Sequence, residues 1–339
     1  MKVKYWLMIA GVAVLLPAFC RAAQISEEEI VPRNKMIYIE PSDEKTFLER
    51  GRLKNIVGVT FGYDNNSHLD SQRDADAFNQ LYYRATFISP LTRDKRVDGI
   101  LEYELMSLLY AGEANLDIIK NGFHAGIDNR INEEFEFLTG YYLDTFSYIN
   151  QPSDNFYENR VDAELRQNLP HKIVHGLRYE LAFKNYTDKH TRITAAVDTD
   201  KKRNDLRNTV EYSIGKYFAK DFPKLSFQYY GNSSNETYIK YYNYNSYKLS
   251  ASLTHLFNEK FFAYGSLARQ FRAFGRRTIT TDALSKEWDR TYLITAALYY
   301  NFNKALSTGL SYTYRQNWSN EPVENYSGSL ISLTTYYRF

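Results

Sequence analysis

Cysteine is nearly absent from this chain, which has one, Cys20, among 339 residues. A single thiol cannot form an intramolecular disulfide, and the spacing of a zinc site is missing as well. Cys20 lies within residues 1–22, where Lys2 and Lys4 precede an apolar stretch that ends in small residues near Ala22. This order is typical of a cleaved secretory signal peptide. We therefore predict that Cys20 is removed with residues 1–22 and that the mature chain has no thiol chemistry.

Long hydrophobic runs are also missing. The apolar stretch of the signal peptide is shorter than the roughly 20 residues that span a bilayer as a helix, and no run of about 18 follows it. The mean hydropathy of −0.52 excludes a helical membrane protein. Charge is balanced, because the net value of +2 becomes −1 once Lys2, Lys4 and Arg21 are removed (+2 − 3). Nothing in this charge or in the motifs points to nucleic acid or to a phosphate-binding loop.

Aromatic residues are abundant, with 31 Tyr and 21 Phe, and they follow a two-residue period. The chain ends in LISLTTYYRF, where the odd positions from Ile331 to Phe339 are the more apolar. Alternation of this kind is typical of a strand with one apolar face. A strand that ends on an aromatic residue would promote aggregation in water unless its edge were paired and its apolar face covered. Lipid can cover such a face.

Alternating segments recur from Asn55 onward, about fourteen in all. Short turns such as LPHK and NEK alternate with long polar segments at residues 64–76, 187–205 and 274–287, and only the short AGEA connection after Tyr110 departs from this order. An even number of strands with connections of alternating length is typical of bacterial outer-membrane barrels. We predict an all-β fold, a transmembrane antiparallel up-and-down β-barrel of about 14 strands over residues 55–339. Both termini would then be periplasmic.

Residues 23–54 precede the predicted barrel. Ser42 could cap a short helix in this segment. The segment has two interpretations: a periplasmic leader that is flexible, or a plug that fills the lumen or docks a periplasmic partner.

Alternation also predicts which side chains face the lumen. Leu177, Tyr179 and Leu181 would face lipid, whereas Arg178 and Glu180 would face inward. Adjacent tyrosines near strand ends would form aromatic girdles at the two bilayer surfaces. The predicted lumen-lining residues are Arg84, Glu102, Glu104, Lys120, Glu136, Asp162, Glu164, Arg166, Arg178, Glu180, Lys184, Arg207, Glu211 and Arg315.

The sequence contains little evidence for a catalytic site or a metal site. A serine hydrolase needs a histidine beside a nucleophile, and of the six histidines only His124 is predicted to face the lumen. Asp64, Asn66 and Asp70 could offer oxygen ligands, but their loop lacks the glycine of a calcium-binding loop. We predict no enzyme activity, no cofactor and no metal.

The ending resembles the C-terminal signal by which outer-membrane proteins are recognised by their assembly machinery, with Tyr337 and Phe339 as its aromatic residues. This resemblance implies three features: a location in the outer membrane, contact with outer-membrane lipid, and the barrel-assembly machinery as a partner.

Two further segments carry a family resemblance. GVTFGYDNNSHLDSQRDADAFNQLYYRATF and LSYTYRQNWSNEPVENYSGSLISLTTYYRF resemble the opening and closing hairpins of porin-like barrels of exopolysaccharide systems. They are also similar to the barrel domain of surface lipoprotein assembly modifiers. Many of those modifiers have a periplasmic helical-repeat domain before the barrel, for which this chain has no room.

Three functions are compatible with these observations. The leading hypothesis is a porin-like channel that passes small polar solutes or glycan segments through a polar lumen. The second is a secretion or assembly barrel that exports a surface lipoprotein or polysaccharide with a periplasmic export partner. The third is a barrel hydrolase, which would need His124 close to an acid and a hydroxyl.

Overall fold

The computed structural model describes residues 51–70, 74–92 and 94–339, so the predicted signal peptide and most of the predicted leader lie outside the described residues. The predicted fold is confirmed: fourteen antiparallel strands, each paired with its neighbours in sequence, form a closed barrel. The strands are β1 (Arg52–Asp64), β2 (Asp76–Pro90), β3 (Val97–Tyr110), β4 (Ile118–Arg130), β5 (Phe135–Tyr148), β6 (Phe156–Leu169), β7 (Ile173–Arg192), β8 (Asp198–Lys216), β9 (Asp221–Ser234), β10 (Tyr244–Leu256), β11 (Phe261–Ile279), β12 (Asp282–Asn301), β13 (Leu306–Ser319) and β14 (Tyr326–Arg338).

The last strand closes the barrel against the first. Gly58 of β1 lies opposite Tyr336 of β14. The pairing continues to the final residue, because Asn55 N donates to Phe339 O at 2.9 Å and Phe339 N donates to Asn55 O at 3.0 Å. Every strand therefore has two neighbours, and the barrel has no free edge.

The first strand begins earlier than expected. It starts at Arg52 rather than at Asn55, because Arg52 already pairs with Ile88 of β2. Residues 52–54, which the sequence assigned to the leader, therefore belong to the barrel wall.

Two of the long loops predicted from sequence are strands. Strand β7 continues to Arg192 and β8 begins at Asp198, so the connection is residues 193–197 rather than 187–205. Similarly, β11 and β12 leave only residues 280–281 between them. These segments are polar but contain threonine and isoleucine, which favour strands, and cross-strand pairing continues through register shifts near Asn185 and Ala273. The prediction was wrong because polarity was taken to indicate a loop.

The two faces of the wall differ in chemistry. Outward side chains are large, apolar and exposed, as with Leu177 at 53% and Val161 at 49%. We call the end that carries the chain termini and the short turns the terminal end, and the other end the loop end. On the inner side near the loop end, buried aromatic and aliphatic side chains form one cluster: Phe78, Leu108, Tyr110, Ile118, Tyr148, Phe156, Tyr186 and Leu330. In the part of the chain that the structure describes, no helix is long and apolar enough to cross a membrane.

Candidate functional site: the inner face of the barrel

Strand alternation places the predicted charged residues on the inner face. In β7 the outward Leu177 and Tyr179 are exposed, whereas the intervening Arg178 and the following Glu180 turn away from them. The other predicted residues also occupy inward-facing positions on their own strands. Residues that lie directly opposite each other on paired strands point to the same face of the wall. Whether these residues line a path for solutes stays a prediction.

One ion-pair network runs across β2, β3, β4 and β5. Glu104 accepts hydrogen bonds from Arg84 at 2.9 Å and from Lys120 at 2.9 Å. Lys120 also lies 3.3 Å from Asp144, and Arg84 lies 3.5 Å from Glu102. Two cations therefore hold three carboxylates on adjacent strands.

A second network joins β6, β7 and β8. Arg178 lies 2.7 Å from Asp162 and 3.1 Å from Glu180. Arg207 reaches Glu180 at 3.9 Å and Glu158 at 3.7 Å. Side chains on three strands are thus connected through shared carboxylates, which is the arrangement that gives ion pairs their largest effect.

Four further predicted residues, Glu136, Glu164, Arg166 and Lys184, lie near these networks. Arg166 contacts Glu164 on its own strand and lies 3.7 Å from Glu136 on β5. Lys184 places its ammonium 3.6 Å from the centre of the Phe156 ring, a cation–π contact. These contacts extend the networks toward both ends of the barrel.

The two remaining residues behave differently. Glu211 accepts a hydrogen bond from the amide of Gln228 on β9 at 3.1 Å. Arg315 lies on β13, far along the wall from the networks, and contacts the fully buried Asp64 near the loop end. The structure therefore does not bring Arg315 together with the other predicted charges.

Glu158 and Arg160 are inner-face residues that the sequence prediction missed. Arg160 lies 4.0 Å from Glu180, and its guanidinium sits 4.2 Å from the centre of the Tyr142 ring. Both residues lie two or four positions before Asp162 on the same strand, so the two-residue period would have identified them as inward-facing. The ring stacking could not be predicted from the two-residue period.

His124 takes part in that stacking. Its ring lies parallel to Tyr142 with the centroids 4.1 Å apart, so imidazole, phenol and guanidinium form a row along the wall. Glycine makes room for the row, because a Cβ on Gly140 would lie 2.7 Å from His124 Nε2 and one on Gly126 would lie 2.8 Å from the same atom. The close approach requires glycine at both positions.

The other part of the inner face carries mainly hydroxyl and amide groups, together with the ion pairs Arg272–Asp289 and Arg315–Asp64 toward the loop end. Thr60 and Thr334 share a hydrogen bond of 2.9 Å, and Ser226 and Ser250 share one of 2.7 Å. Further pairs are Ser311 with Ser332 at 2.8 Å, Thr295 with Thr313 at 3.2 Å, Thr291 with Asn317 at 2.8 Å, and Gln270 with Tyr230 at 2.6 Å. We call the inner face of β2–β8 the charged face and the inner face of β9–β14 and β1 the hydroxyl face.

The connections at the loop end are linked to one another. Arg192 lies 3.2 Å from the buried Glu236, and Arg277 lies 2.7 Å from Glu324. The guanidinium of Arg277 also covers the ring of Tyr241 at 3.9 Å. Burial raises the pKa of the Tyr241 hydroxyl, an effect that Arg277 opposes, so this group stays protonated at neutral pH.

The oxygen groups of the first connection act as structural partners. Asn66 is fully buried and donates through Nδ2 to Asp70 O at 2.7 Å and to Ser327 O at 3.1 Å. Asp64 accepts a hydrogen bond from Asn66 N at 3.0 Å and contacts Arg315. Within residues 51–70, 74–92 and 94–339, no three His, Cys, Asp or Glu side chains gather in a group that could hold a metal ion.

Solved structures share this fold at low sequence identity. The outer membrane channel DcaP of Acinetobacter baumannii is 10% identical with a TM-score of 0.51, and the match covers 85% of this chain and 97% of that chain. OmpT, an outer membrane protein of Vibrio cholerae, is 8% identical with a TM-score of 0.51 and coverage of 89% and 100%. No family model and no curated protein matches the chain. The likeness shows that the chain has the fold of an outer-membrane barrel.

Proposed function

We propose that this protein is an outer-membrane channel that passes small polar solutes or glycan segments. The observation that carries the proposal is the polarity of the inner face around the barrel, on the terminal side of the apolar cluster near the loop end. Paired charges occupy the charged face, and hydroxyl and amide groups occupy the hydroxyl face. A wall of this kind offers hydrogen bonds to water and to polar solutes around its full circumference. DcaP, which shares the fold, is itself described as a channel.

The mixed lining favours uncharged solutes over ions of one sign. Most predicted charges lie within 4 Å of an opposite charge, so their fields largely cancel at the distance of a passing ion. Neutral solutes gain hydrogen bonds from serine and threonine without displacing ion pairs.

Reconstitution tests this proposal. The mature protein in a planar bilayer is expected to pass current with weak selectivity between cations and anions. In liposomes it is expected to admit small neutral sugars at rates that fall with their size. Absence of both current and sugar entry in correctly folded protein would refute the channel function.

We also propose that Tyr337 and Phe339 are recognised by the barrel-assembly machinery. Both side chains are exposed on the outer face, with ring centroids 5.7 Å apart. Deleting Phe339 is expected to lower the amount of assembled protein in the outer membrane several-fold, measured as the heat-modifiable band on gels. The control is Arg338→Lys, which leaves the outward aromatic pair in place. Equal levels of the deletion variant and the wild type would contradict the role.

A further inference from the structure

One hydrogen bond recurs on the outer face of successive hairpins. The hydroxyl of Tyr103 donates to Asn121 Oδ1 at 3.0 Å, and that of Tyr141 donates to Asn159 Oδ1 at 2.6 Å. The same bond joins Tyr179 to Asn208 at 2.8 Å, and Tyr229 to Asn245 at 3.1 Å. In β13 and β14 the equivalent pair is Tyr312 with Ser329, at 2.9 Å.

The geometry of these pairs is the same each time. The tyrosine lies on the strand that runs toward the loop end, and its partner lies on the following strand, two residues nearer that end than the residue opposite the tyrosine. In β3 and β4, for example, Tyr103 is opposite Phe123, and its partner is Asn121. The pairs therefore occupy one level of the outer face, and we call them the Tyr–Asn ring.

The level of the ring lies near the loop-side edge of the apolar band. On β4 the outward residues between Asn121 and Asn129 are Phe123, Ala125 and Ile127. Eight residues at about 3.3 Å each, tilted by about 40°, span about 20 Å across the membrane, close to the roughly 25 Å apolar band of such barrels. The asparagines therefore stand close to where the hydrocarbon of a bilayer ends, with the outward Phe183 and Tyr157 one residue pair nearer the loop end.

Each asparagine in the ring has its oxygen occupied and its nitrogen available. The amide oxygen accepts the tyrosine hydroxyl, whereas in the described part of the chain Nδ2 of Asn121, Asn159, Asn208 and Asn245 donates to no other residue. An amide N–H group without a hydrogen-bond acceptor costs free energy at the border of the hydrocarbon. Accepting a hydrogen bond at the oxygen also polarises the N–H groups and makes them better donors.

We propose that these four amide groups donate hydrogen bonds to the ester carbonyl oxygens of the surrounding lipid and so hold the barrel at a fixed depth. Ester carbonyls are the acceptors that lie just outside the hydrocarbon. Lipid is the partner rather than a second copy of the chain, because the pairs are spread over β3–β10 and β13–β14. An interface between two barrels would cover one side alone.

Ether-linked lipids provide a direct test, because they lack the ester carbonyl. The mature protein is folded into vesicles of ester-linked or ether-linked phosphocholine of equal chain length, and unfolding in urea is followed by tryptophan fluorescence. Trp288 and Trp318 are the tryptophans left after removal of residues 1–22. We expect the unfolding equilibrium constant of the wild type to be about tenfold larger in the ether lipid, from four modest hydrogen bonds.

Two matched variants separate the amide donors from the rest of the ring. Replacing all four asparagines (N121L, N159L, N208L, N245L) is expected to reduce the difference between the two lipids to less than twofold. Replacing the four tyrosines (Y103F, Y141F, Y179F, Y229F) keeps the amide donors and is expected to retain most of the difference. Should the fourfold leucine variant not fold, the pair N121L with N159L is expected to lower the difference to about threefold.

Two results would overturn the proposal. One is a wild type that unfolds equally in ester and ether lipids. The other is a leucine variant that keeps the full difference. Neither result bears on conductance, so this test is independent of the channel function.

Discussion

The two parts of the inner wall use different chemistry to satisfy polar groups. On the charged face, Arg178 and Lys120 each contact two carboxylates, and the side chains of these networks are mostly less than one-fifth exposed. On the hydroxyl face, small neutral groups such as Ser226 and Ser250 bond in pairs across neighbouring strands. The charged face thus depends mostly on long charged side chains, and the hydroxyl face, apart from the Arg272–Asp289 and Arg315–Asp64 pairs, on short neutral ones.

This difference implies different tolerance to change. Removing one member of a buried ion-pair network leaves the remaining charges without compensation, which costs several kcal/mol. Removing one hydroxyl of a neutral pair loses about 1 kcal/mol. We therefore expect the charged face to determine stability, and the hydroxyl face to accept changes that alter the passage of solutes.

The largest effect is expected for Arg178→Glu. The substitution places a carboxylate beside Asp162 and Glu180, which Arg178 now contacts at 2.7 and 3.1 Å. The expected loss is about 3 kcal/mol of unfolding free energy, measured by urea unfolding in vesicles. Arg178→Lys keeps the charge and is the control, with an expected loss of about 1 kcal/mol. A reversed-charge variant as stable as the wild type would show that the network does not brace the wall.

An intermediate effect is expected for Thr295→Glu on the hydroxyl face. Thr295 bonds to Thr313 at 3.2 Å, and the substitution adds a carboxylate where the neighbouring groups are neutral. In an open channel this uncompensated charge is expected to shift the reversal potential toward cation selectivity while conductance is retained. Thr295→Gln is the uncharged control and should leave selectivity unchanged. Identical reversal potentials for the two variants would place Thr295 outside the ion path.

The smallest effect is expected for Thr334→Val. It removes the hydroxyl that bonds Thr60 at 2.9 Å while keeping the shape of the side chain. We expect a loss of about 1 kcal/mol in unfolding free energy and no change in conductance. The control is Thr335→Val on the outer face of the same strand. It loses a longer bond of 3.3 Å to Thr308 but places an apolar group against lipid, so it should be neutral or slightly stabilising. A loss as large as that of Arg178→Glu would remove the distinction between the two faces.

Much of the fold followed from the two-residue period. The fourteen strands were counted correctly, and they pair in sequence order as an up-and-down barrel requires. The extensions of β7 and β11 were missed, because polar strands that rise beyond the apolar band lose the contrast between their faces. Adjacent tyrosines were assigned together to the aromatic girdles, yet Tyr336 packs inside while Tyr337 is exposed.

The sequence predicted which residues lie on the inner face, but it did not predict which of them form ion pairs with each other. The sequence placed Arg178 and Glu164 on one face, and the two residues are directly opposite in the register. Arg178 nevertheless contacts Asp162 and Glu180, while Glu164 contacts Arg166 on its own strand. Strand twist and side-chain length select the diagonal partner, and neither can be derived from a one-dimensional pattern.

The sequence by itself determined which face each side chain takes, because successive residues of a strand must point to opposite sides. It also determined that Phe339 belongs to the outer face. Only the tertiary structure decided the register between neighbouring strands. That register brings each tyrosine of the Tyr–Asn ring within hydrogen-bonding distance of its partner, because these contacts depend on the alignment of residues on two different strands.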